Sequence, residues 1–270
     1  MVRTLWTAAS GMTAQQTAVD TIANNLANVN TTGYKNETAE FKSLLYQTIQ
    51  TRTTTANGAN KPIGAQVGLG VRNSSITSHF TQGPMSETGT NSDLAISGSG
   101  FFAVRAEDGQ TYYTRNGSFQ FGLGQNGIVL ATSEGYPVLD TAGNVITVPA
   151  TYNAANISVN TSGQLFYTNA DGTTVNLNRT IGVFQFSNPS GLLKLSDSLY
   201  QVSAASGAAI NEATNANVTK SKVVQGYLEA SNVQVADEMV NLIVAQRAYE
   251  MNSKAIQAAD DMMQQANNLR

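Results

Sequence analysis

The chain has 270 residues, a net charge of −3 and no cysteine, and 41% of its residues are hydrophobic against only 12% charged. The missing cysteine excludes disulfide frameworks, thiol nucleophiles and cysteine-ligated metals, and the slightly negative charge argues against a nucleic-acid-binding surface. Apolar runs are shorter than the roughly 18 residues of a membrane span, and the first residues lack the apolar core of a secretory signal.

A helix is predicted over residues 4–29, because large apolar residues recur there every seven positions. Such a row runs along one side of a helix and favours packing against other helices. Arg3 and Asp20 are the only charged residues among the first thirty, which indicates a helix covered on several sides. An ordinary helix pair inside one globular core would show the same pattern. The predicted interface row consists of Leu5, Met12, Val19 and Leu26, with Ile22 and Val29 three positions later in the same heptads.

A second helix with the same period is predicted over residues 233–269. At about 37 residues it would be roughly 55 Å long, and isolated helices are marginal in water, so it needs a partner. We expect it to pair with the N-terminal helix in a coiled-coil-like domain and to become ordered only on assembly. Its predicted interface row consists of Val235, Leu242, Tyr249, Ile256 and Met263.

Between the helices the hydrophobic period changes to two and turn dipeptides such as Asp108-Gly109 recur, which predicts an all-β domain. The predicted fold class is α+β, with the N- and C-terminal helices paired and the β domain inserted between them. The predicted divisions are residues 1–36 for the N-terminal helix, 37–93 for a short helix and extended connector, 94–202 for the β domain, 203–232 for a return linker and 233–270 for the C-terminal helix.

Local patterns add detail to these divisions. Residues 37–50 are predicted to form the short helix, with Phe41 and Leu45 on one face. The asparagine-rich run 23–35 is predicted to close the first helix, with Gly33 as a left-handed C-cap. The candidate strands are residues 72–77, 101–105, 111–114, 118–121, 128–131, 145–148, 157–159, 165–168, 173–177, 180–186 and 223–229.

No catalytic, cofactor-binding or metal-binding residues are predicted. His79 is the single histidine, and no second histidine or cysteine can join it in a zinc or nucleophilic site. The glycines of residues 68–70 lack the third glycine of a dinucleotide loop, and the aspartates of the β domain are too widely spaced for a calcium loop. The residues therefore predict a self-assembling structural subunit and not an enzyme, although a carboxylate pair for glycoside hydrolysis stays open.

Motifs at both ends of the chain resemble those of a known family. Residues 23–28 (Ala-Asn-Asn-Leu-Ala-Asn) with residues 33–35 (Gly-Tyr-Lys) are similar to the N-terminal signature of the bacterial flagellar rod and hook family, and residues 225–233 and 246–255 are similar to its C-terminal signature. Residues 41–47, 98–102, 113–119 and 188–192 resemble the distal-rod branch of that family. The matching motif residues are Asn24, Asn25, Leu26, Asn28, Gly33, Tyr34, Gln246, Arg247, Tyr249, Asn252 and Lys254.

The resemblance implies a structural subunit of the distal rod, which self-assembles into a hollow helical drive shaft and transmits torque across the cell envelope. The implied partners are copies of itself in the tube, proximal rod and hook subunits at the two ends, ring proteins around the tube and the flagellar export apparatus. It implies no cofactor, no nucleic acid and no small-molecule substrate. The implied location is the flagellar basal body, spanning the periplasm, reached without a cleaved signal peptide. Phe41 and Leu45 resemble the family's export motif, and residues 46–64 resemble the segment that stiffens the tube.

Other functions fit the same pattern. The nearest alternative is a hook or proximal rod subunit of the same family. From a different class, a secreted β-rich binding module with a coiled-coil stalk would also combine heptad helices with a β domain, but it would form a small closed oligomer. A peptidoglycan hydrolase is the enzyme alternative.

Overall fold

A computed structural model gives the structure of the protein for residues 2–50, 64–124, 127–149, 151–169, 173–215 and 217–268. The chain divides into two compact units, and each unit combines segments that are distant in sequence. Unit 1 comprises Met1–Ala27, Glu37–Ser78 and Gln234–Arg270, and unit 2 comprises Asn28–Asn36 and His79–Val233.

The described residues of unit 1 form two helices and two antiparallel strand pairs. The helices contact each other, and the first helix also contacts the longer strand pair. The elements are α1 (Val2–Ala27), α2 (Val235–Asn268), β1 (Glu37–Ser43) paired with β4 (Val71–Ser78), and β2 (Tyr46–Gln50) paired with β3 (Ala65–Gly68).

Small and polar side chains occupy the inner faces of α1 and α2. A Cβ atom on Gly11 would lie 2.8 Å from Asn252 Nδ2, so α1 and α2 approach closely at a position that has no side chain. On α2, buried and half-buried residues recur at steps of mostly three and four, which places them along one side of the helix. The buried residues are Ala8, Ala14, Thr21 and Asn25 on α1, and Glu238, Ala245 and Ala259 on α2.

Unit 2 is an assembly of antiparallel strands. Its largest sheet has six strands in the order β16-β17-β8-β7-β15-β18, and smaller sheets have the orders β11-β10-β9, β12-β13-β14, β19-β6 and β20-β5. These strands are β5 (Met85–Glu87), β6 (Leu94–Ser97), β7 (Phe101–Arg105), β8 (Thr111–Thr114), β9 (Phe119–Gly124), β10 (Gly127–Thr132), β11 (Thr147–Val148), β12 (Ile157–Val159), β13 (Gln164–Thr168), β14 (Thr174–Thr180), β15 (Val183–Gln185), β16 (Leu193–Lys194), β17 (Leu199–Gln201), β18 (Ile210–Asn211), β19 (Lys222–Gln225) and β20 (Tyr227–Glu229).

The strand β7 separates two apolar cores in unit 2. Phe102 and Val104 pack into one core, and Phe101 and Ala103 pack into the other. Successive side chains of a strand point to opposite faces, so a strand that is apolar at every position is covered on both sides. The run Phe-Phe-Ala-Val is therefore the centre of unit 2, with Phe101 and Phe102 fully buried.

Several predicted boundaries are wrong. Residues 37–50 form the strands β1 and β2 and not a helix, because pairing with β4 and β3 overrides a weak local helical pattern. The first helix ends at Ala27, and residues 28–36 belong to unit 2. Within the predicted linker 203–232, β18 was not predicted and pairs with β15, whereas the candidate strand 223–229 is confirmed as β19 and β20, which pair with β6 and β5.

Most strand predictions are confirmed. Residues 101–105, 111–114 and 157–159 are strands with the predicted bounds, and Val71–Ser78 extends the predicted strand 72–77 by one residue at each end. The α+β class is confirmed by the helix at each end and the β-rich middle. Residues 51–63 of the predicted connector lie outside the described residues.

Candidate functional site

Three charged side chains meet in the interior of unit 2, although charged residues are rare in this chain. Lys35, Arg115 and Glu229 are 0%, 3% and 1% exposed, and we call them the clasp. Lys35 Nζ donates a hydrogen bond to Glu229 Oε1 at 2.5 Å. Arg115 Nη1 donates to Glu229 Oε2 at 3.0 Å. One carboxylate from the end of β20 thus joins two cations from distant parts of the chain.

Backbone groups satisfy most of the remaining polar atoms of the clasp. Lys35 Nζ also donates to the Thr81 carbonyl at 2.8 Å, and the Gly83 N–H donates to Glu229 Oε1 at 2.9 Å. Arg115 Nη2 donates to the Gly98 carbonyl at 2.7 Å. Among the described residues, Arg115 Nε has no hydrogen-bond partner.

The clasp carries more positive than negative charge in a region shielded from water. Burial lowers the pKa of Lys35, and the neighbouring Glu229 carboxylate opposes that shift. The Arg115 guanidinium lies over the Phe101 ring, 5.1 Å from its centroid, which provides some further stabilisation of the cation. Buried charges of this kind stay charged only while each keeps its partner, so the clasp ties three segments of unit 2 to one another.

The family motif residues next to the clasp hold the same segments together. The Gly33 N–H donates to the Glu229 carbonyl at 2.8 Å. The Asn36 N–H donates to Asn232 Oδ1 at 2.7 Å, and Asn232 Nδ2 donates to the His79 carbonyl at 2.9 Å. The family motif Gly33-Tyr34-Lys35 thus lies at an internal junction of unit 2.

Gly33 has the left-handed backbone that was predicted, but it does not cap the helix. Its φ is +70°, and α1 ends earlier, at Ala27. A Cβ atom at position 33 would lie 2.7 Å from the backbone carbon of Arg115. Position 33 therefore requires glycine both for its conformation and for this close approach. The neighbouring Tyr34 ring lies 5.9 Å from Lys194 Nζ.

The motif asparagines have separate structural roles. Asn25 is fully buried in unit 1, where its Nδ2 donates to the Glu37 carbonyl at 2.7 Å and its Oδ1 accepts from the Glu37 N–H at 2.9 Å. This amide fastens the first residue of β1 to the end of α1. In unit 2, Asn28 Oδ1 accepts a hydrogen bond from Thr31 Oγ1 at 3.0 Å and stabilises a turn. Asn24, near the end of α1 in unit 1, is exposed.

The predicted interface rows occupy the flanks of the helix contact. Leu5, Met12, Val19, Ile22 and Leu26 are half-buried on α1. On α2, Leu242, Ile256 and Met263 are half-buried, and Val235 and Tyr249 are 41% and 44% exposed. Val29 lies beyond the end of α1, in unit 2, so its assignment to the helical row is wrong.

A second apolar surface lies on α2 outside the predicted row, and we call it the outer apolar face. Periodicity assigns one apolar row to each helix, and this face therefore escaped prediction. A helix that is apolar on more than one side is typically covered by partners. The face consists of Met239, Val240, Ile243, Val244, Met251 and Met262, each more than half exposed.

The C-terminal motif residues divide between the two sides of α2. Asn252 points inward against Gly11. Gln246, Arg247 and Lys254 are exposed, and Arg247 Nη1 lies 3.7 Å from Glu250 Oε2. The exposed motif residues therefore lie on a surface that is open to other molecules.

The two residues of the predicted export motif do not share a helix face. Phe41 lies in β1 and is 38% exposed, whereas Leu45 lies between β1 and β2 and is 82% exposed. Their role in export stays a prediction.

Within the described ranges, neither helix combines the length and apolar composition needed to cross a membrane. The described residues contain no group of three His, Cys, Asp or Glu side chains placed to hold a metal ion.

Three family models match the chain. Residues 5–35 match a flagella basal body rod protein model, residues 95–167 match a flagellar hook protein FlgE/F/G D1 domain, and residues 224–269 match a flagellar basal body rod FlgEFG protein C-terminal model. Each clasp residue lies in a different matched segment, with Lys35 in the first, Arg115 in the second and Glu229 in the third.

Named relatives match over the whole length of the chain. The flagellar basal-body rod protein FlgG of Borreliella burgdorferi is 43% identical over 272 residues, which cover 100% of this chain and 99% of that protein. FlgG of Bacillus subtilis is 36% identical, and the flagellar hook-basal body complex protein FlhP of the same organism is 33% identical, each over 100% of both chains. With this identity along its full length, the chain belongs to the family of flagellar basal-body rod proteins.

Proposed function

We propose that this rod-family protein is a structural subunit of the distal rod, which polymerises through α1 and α2 into a hollow helical tube and transmits torque across the cell envelope. The similarity to FlgG relatives over the entire chain supports the distal-rod assignment over the hook and proximal rod alternatives. The outer apolar face is the observation that carries the assembly mechanism.

The outer apolar face is large enough to drive association. Covering one of its half-exposed side chains contributes roughly 1 kcal/mol, about half the value for burying a whole aliphatic side chain. Met239, Val240, Ile243 and Val244 lie within two turns of α2, so their contributions fall in one contact area. Contiguous exposed apolar surface of this kind marks a protein–protein contact.

In the proposed tube, α1 and α2 pair as a coiled coil and their outer surfaces contact neighbouring copies. The steps of three and four between Glu238, Leu242 and Ala245 support this pairing, since they are the steps of a heptad seam. The predicted rows on the flanks of the seam would then contact helices of other copies.

The remaining partners follow from the family. The proposed neighbours are proximal rod and hook subunits at the two ends of the tube, ring proteins around it, and the flagellar export apparatus that delivers the chain without a cleaved signal peptide. The proposed location is the basal body, where the tube spans the periplasm. The proposed role is structural, with no enzymatic step, cofactor, nucleic acid or small-molecule substrate.

Electron microscopy of the concentrated, purified chain tests the proposal. Hollow filaments with helical order are expected, and a closed oligomer of fixed mass would favour a stalked binding module instead. Immunogold labelling of isolated basal bodies shows whether the protein lies in the proximal rod, the distal rod or the hook. Label between the proximal rod and the hook is expected, and label confined to the hook would contradict the distal-rod assignment.

A further inference from the structure

An apolar groove of about 280 Å³ lies in unit 1 between α1, β1 and α2. Its apolar lining is formed by Ala18, Ile22, Ala39, Phe41 and Val244. The volume is below the range of roughly 300–1,000 Å³ that is typical of small-molecule sites. The groove therefore suits a single large side chain better than a free ligand.

Two carboxylates also line the groove. Glu37 is the first residue of β1, and Glu238 lies in the first turn of α2 with 5% of its surface exposed. Apolar walls with acids beside them favour an occupant that combines an aromatic ring with a positive charge.

Two neighbouring side chains on the surface of α1 together fit this description, one aromatic and one positively charged. Trp6 is the single tryptophan and is 72% exposed on α1. Arg3 is exposed three residues earlier, and residues three apart are neighbours on a helix surface. Arg3 is also the only cation among the first thirty residues, so the charge of this end of α1 is opposite to that of the groove.

Trp6 cannot reach the groove of its own chain. Position 15, at the near end of the groove, lies nine residues further along α1, which is about 13 Å along the helix axis, and on the opposite side of the helix. A tryptophan that fills the groove must therefore come from another copy. Contact between two different patches of identical chains is heterologous, and it generates a ring if the rotation closes or an open filament if it does not.

We propose that Trp6 of one copy inserts into the groove of a neighbouring copy, with Arg3 facing Glu37 and Glu238. The inference rests on the proposed function, because it requires self-assembly, and it specifies which surfaces meet. This contact is directional, so each added copy presents a new groove and a new tryptophan.

Fluorescence of the unmodified chain gives the first test, since Trp6 is its only tryptophan. On polymerisation its emission is expected to shift to shorter wavelength, and quenching by acrylamide is expected to fall at least threefold. A tryptophan that stays equally quenchable in the polymer would overturn the proposal while leaving self-assembly intact. A wild-type chain that forms no polymer would instead contradict the proposed function.

Disulfide trapping locates the tryptophan, because the chain has no cysteine of its own. Trp6→Cys chains are mixed with Val244→Cys chains, polymerised, oxidised and separated without reductant. The matched control replaces Val244→Cys by Met251→Cys, which lies two turns further on the same side of α2 and is also exposed. At least tenfold more cross-linked dimer is expected with Val244→Cys.

Equal or stronger cross-linking to Met251→Cys would place Trp6 elsewhere and overturn the proposal. If Trp6→Cys chains stay out of the polymer, Arg3→Cys takes their place, one turn away with Trp6 retained. The same preference for Val244→Cys is expected of that pair, and its absence counts against the proposal in the same way.

Discussion

Unit 1 and unit 2 bury apolar side chains in different ways. Unit 2 holds two cores built from phenylalanine, tyrosine, leucine, isoleucine and valine. In the described part of unit 1, the buried apolar side chains are all alanines, on the facing sides of α1 and α2. Larger side chains of unit 1, such as Ile243 and Met251, are more than half exposed.

This difference indicates which part of the molecule is complete before assembly. A filled core stabilises unit 2 without help from another chain. Two helices that meet through alanines bury little apolar surface, so in the proposed tube unit 1 would gain most of its apolar burial from neighbouring copies. Unit 2 should therefore respond to changes in its interior, and unit 1 to changes on its surface.

The largest expected effect is in unit 2. Glu229→Gln should destabilise it by about 3–5 kcal/mol, because Lys35 and Arg115 are left buried without a counter-charge. Urea unfolding of the full chain, followed by near-ultraviolet circular dichroism, measures the loss. The control is Glu250→Gln, which breaks the exposed pair with Arg247 and should cost less than about 1 kcal/mol. Equal losses in the two variants would show that the clasp does not stabilise unit 2.

The next effect is on assembly and should spare unit 2. Leu242→Asp places a carboxylate in the helical seam and should raise the concentration needed for polymerisation about 100-fold, equivalent to roughly 3 kcal/mol. Sedimentation of the polymer measures this, and unchanged near-ultraviolet dichroism is expected for unit 2. Leu123→Asp is the control, because Leu123 is 86% exposed on β9. Normal polymerisation of the Leu242→Asp chain would show that assembly does not depend on the helical seam.

A smaller effect concerns alkaline pH. Burial lowers the pKa of Lys35 in the folded chain from its ordinary value of 10.5. At pH values between the lowered pKa and 10.5, the unfolded chain binds more protons than the folded chain, so the free energy of unfolding should rise with pH in that range. Burial raises the pKa of Tyr113, which acts in the opposite direction as pH rises above its ordinary value. At each pH, the free energy of unfolding of the Lys35→Met chain is subtracted from that of the wild type. The difference isolates the contribution of Lys35 to the pH dependence of stability. A difference that does not grow with pH would contradict the lowered pKa.

The smallest effect concerns the contact between α1 and α2. Alanine at position 11 favours the helix by about 1 kcal/mol over glycine, but its Cβ would meet Asn252. Gly11→Ala should therefore stabilise the Asn252→Ala chain by about 1 kcal/mol and the wild type by less. Thermal melting followed by far-ultraviolet circular dichroism compares the four chains. Identical gains in both backgrounds would show that the two positions do not touch.

Strong local periodicity made much of the fold predictable. The helices α1 and α2 have clear heptad periods, and the strands β7, β8 and β12 are short runs rich in aromatic and β-branched residues between turn signals, so all five were predicted. The strands β1 and β2 were not predicted as strands. Their pairing partners lie further along the chain, and the spacing of Phe41 and Leu45 also fits a helical period. Strand pairing over such distances is set by the tertiary structure.

The candidate site was less predictable than the fold. Family motifs identified Gly33 and Asn252, but not their roles against Arg115 and Gly11. The clasp was missed, since its residues are separated by up to 194 positions and isolated charges ordinarily lie at the surface. One signal was available, because Lys35 and Glu229 are rare charges that stand beside or inside the strongest motifs.

The spacing of the clasp along the chain also sets an order in time. Glu229 lies 194 positions after Lys35 and 114 after Arg115. A ribosome that adds about 5–20 residues per second needs roughly 10–40 s to travel from Lys35 to Glu229. Throughout that interval Lys35 lacks the carboxylate with which it enters the interior, and so does Arg115 once it has been made, and contacts so distant in sequence are slow to form. Closure of unit 2 is therefore among the last events in the synthesis of the chain, and a nascent chain stays open until its C-terminal motif has been made.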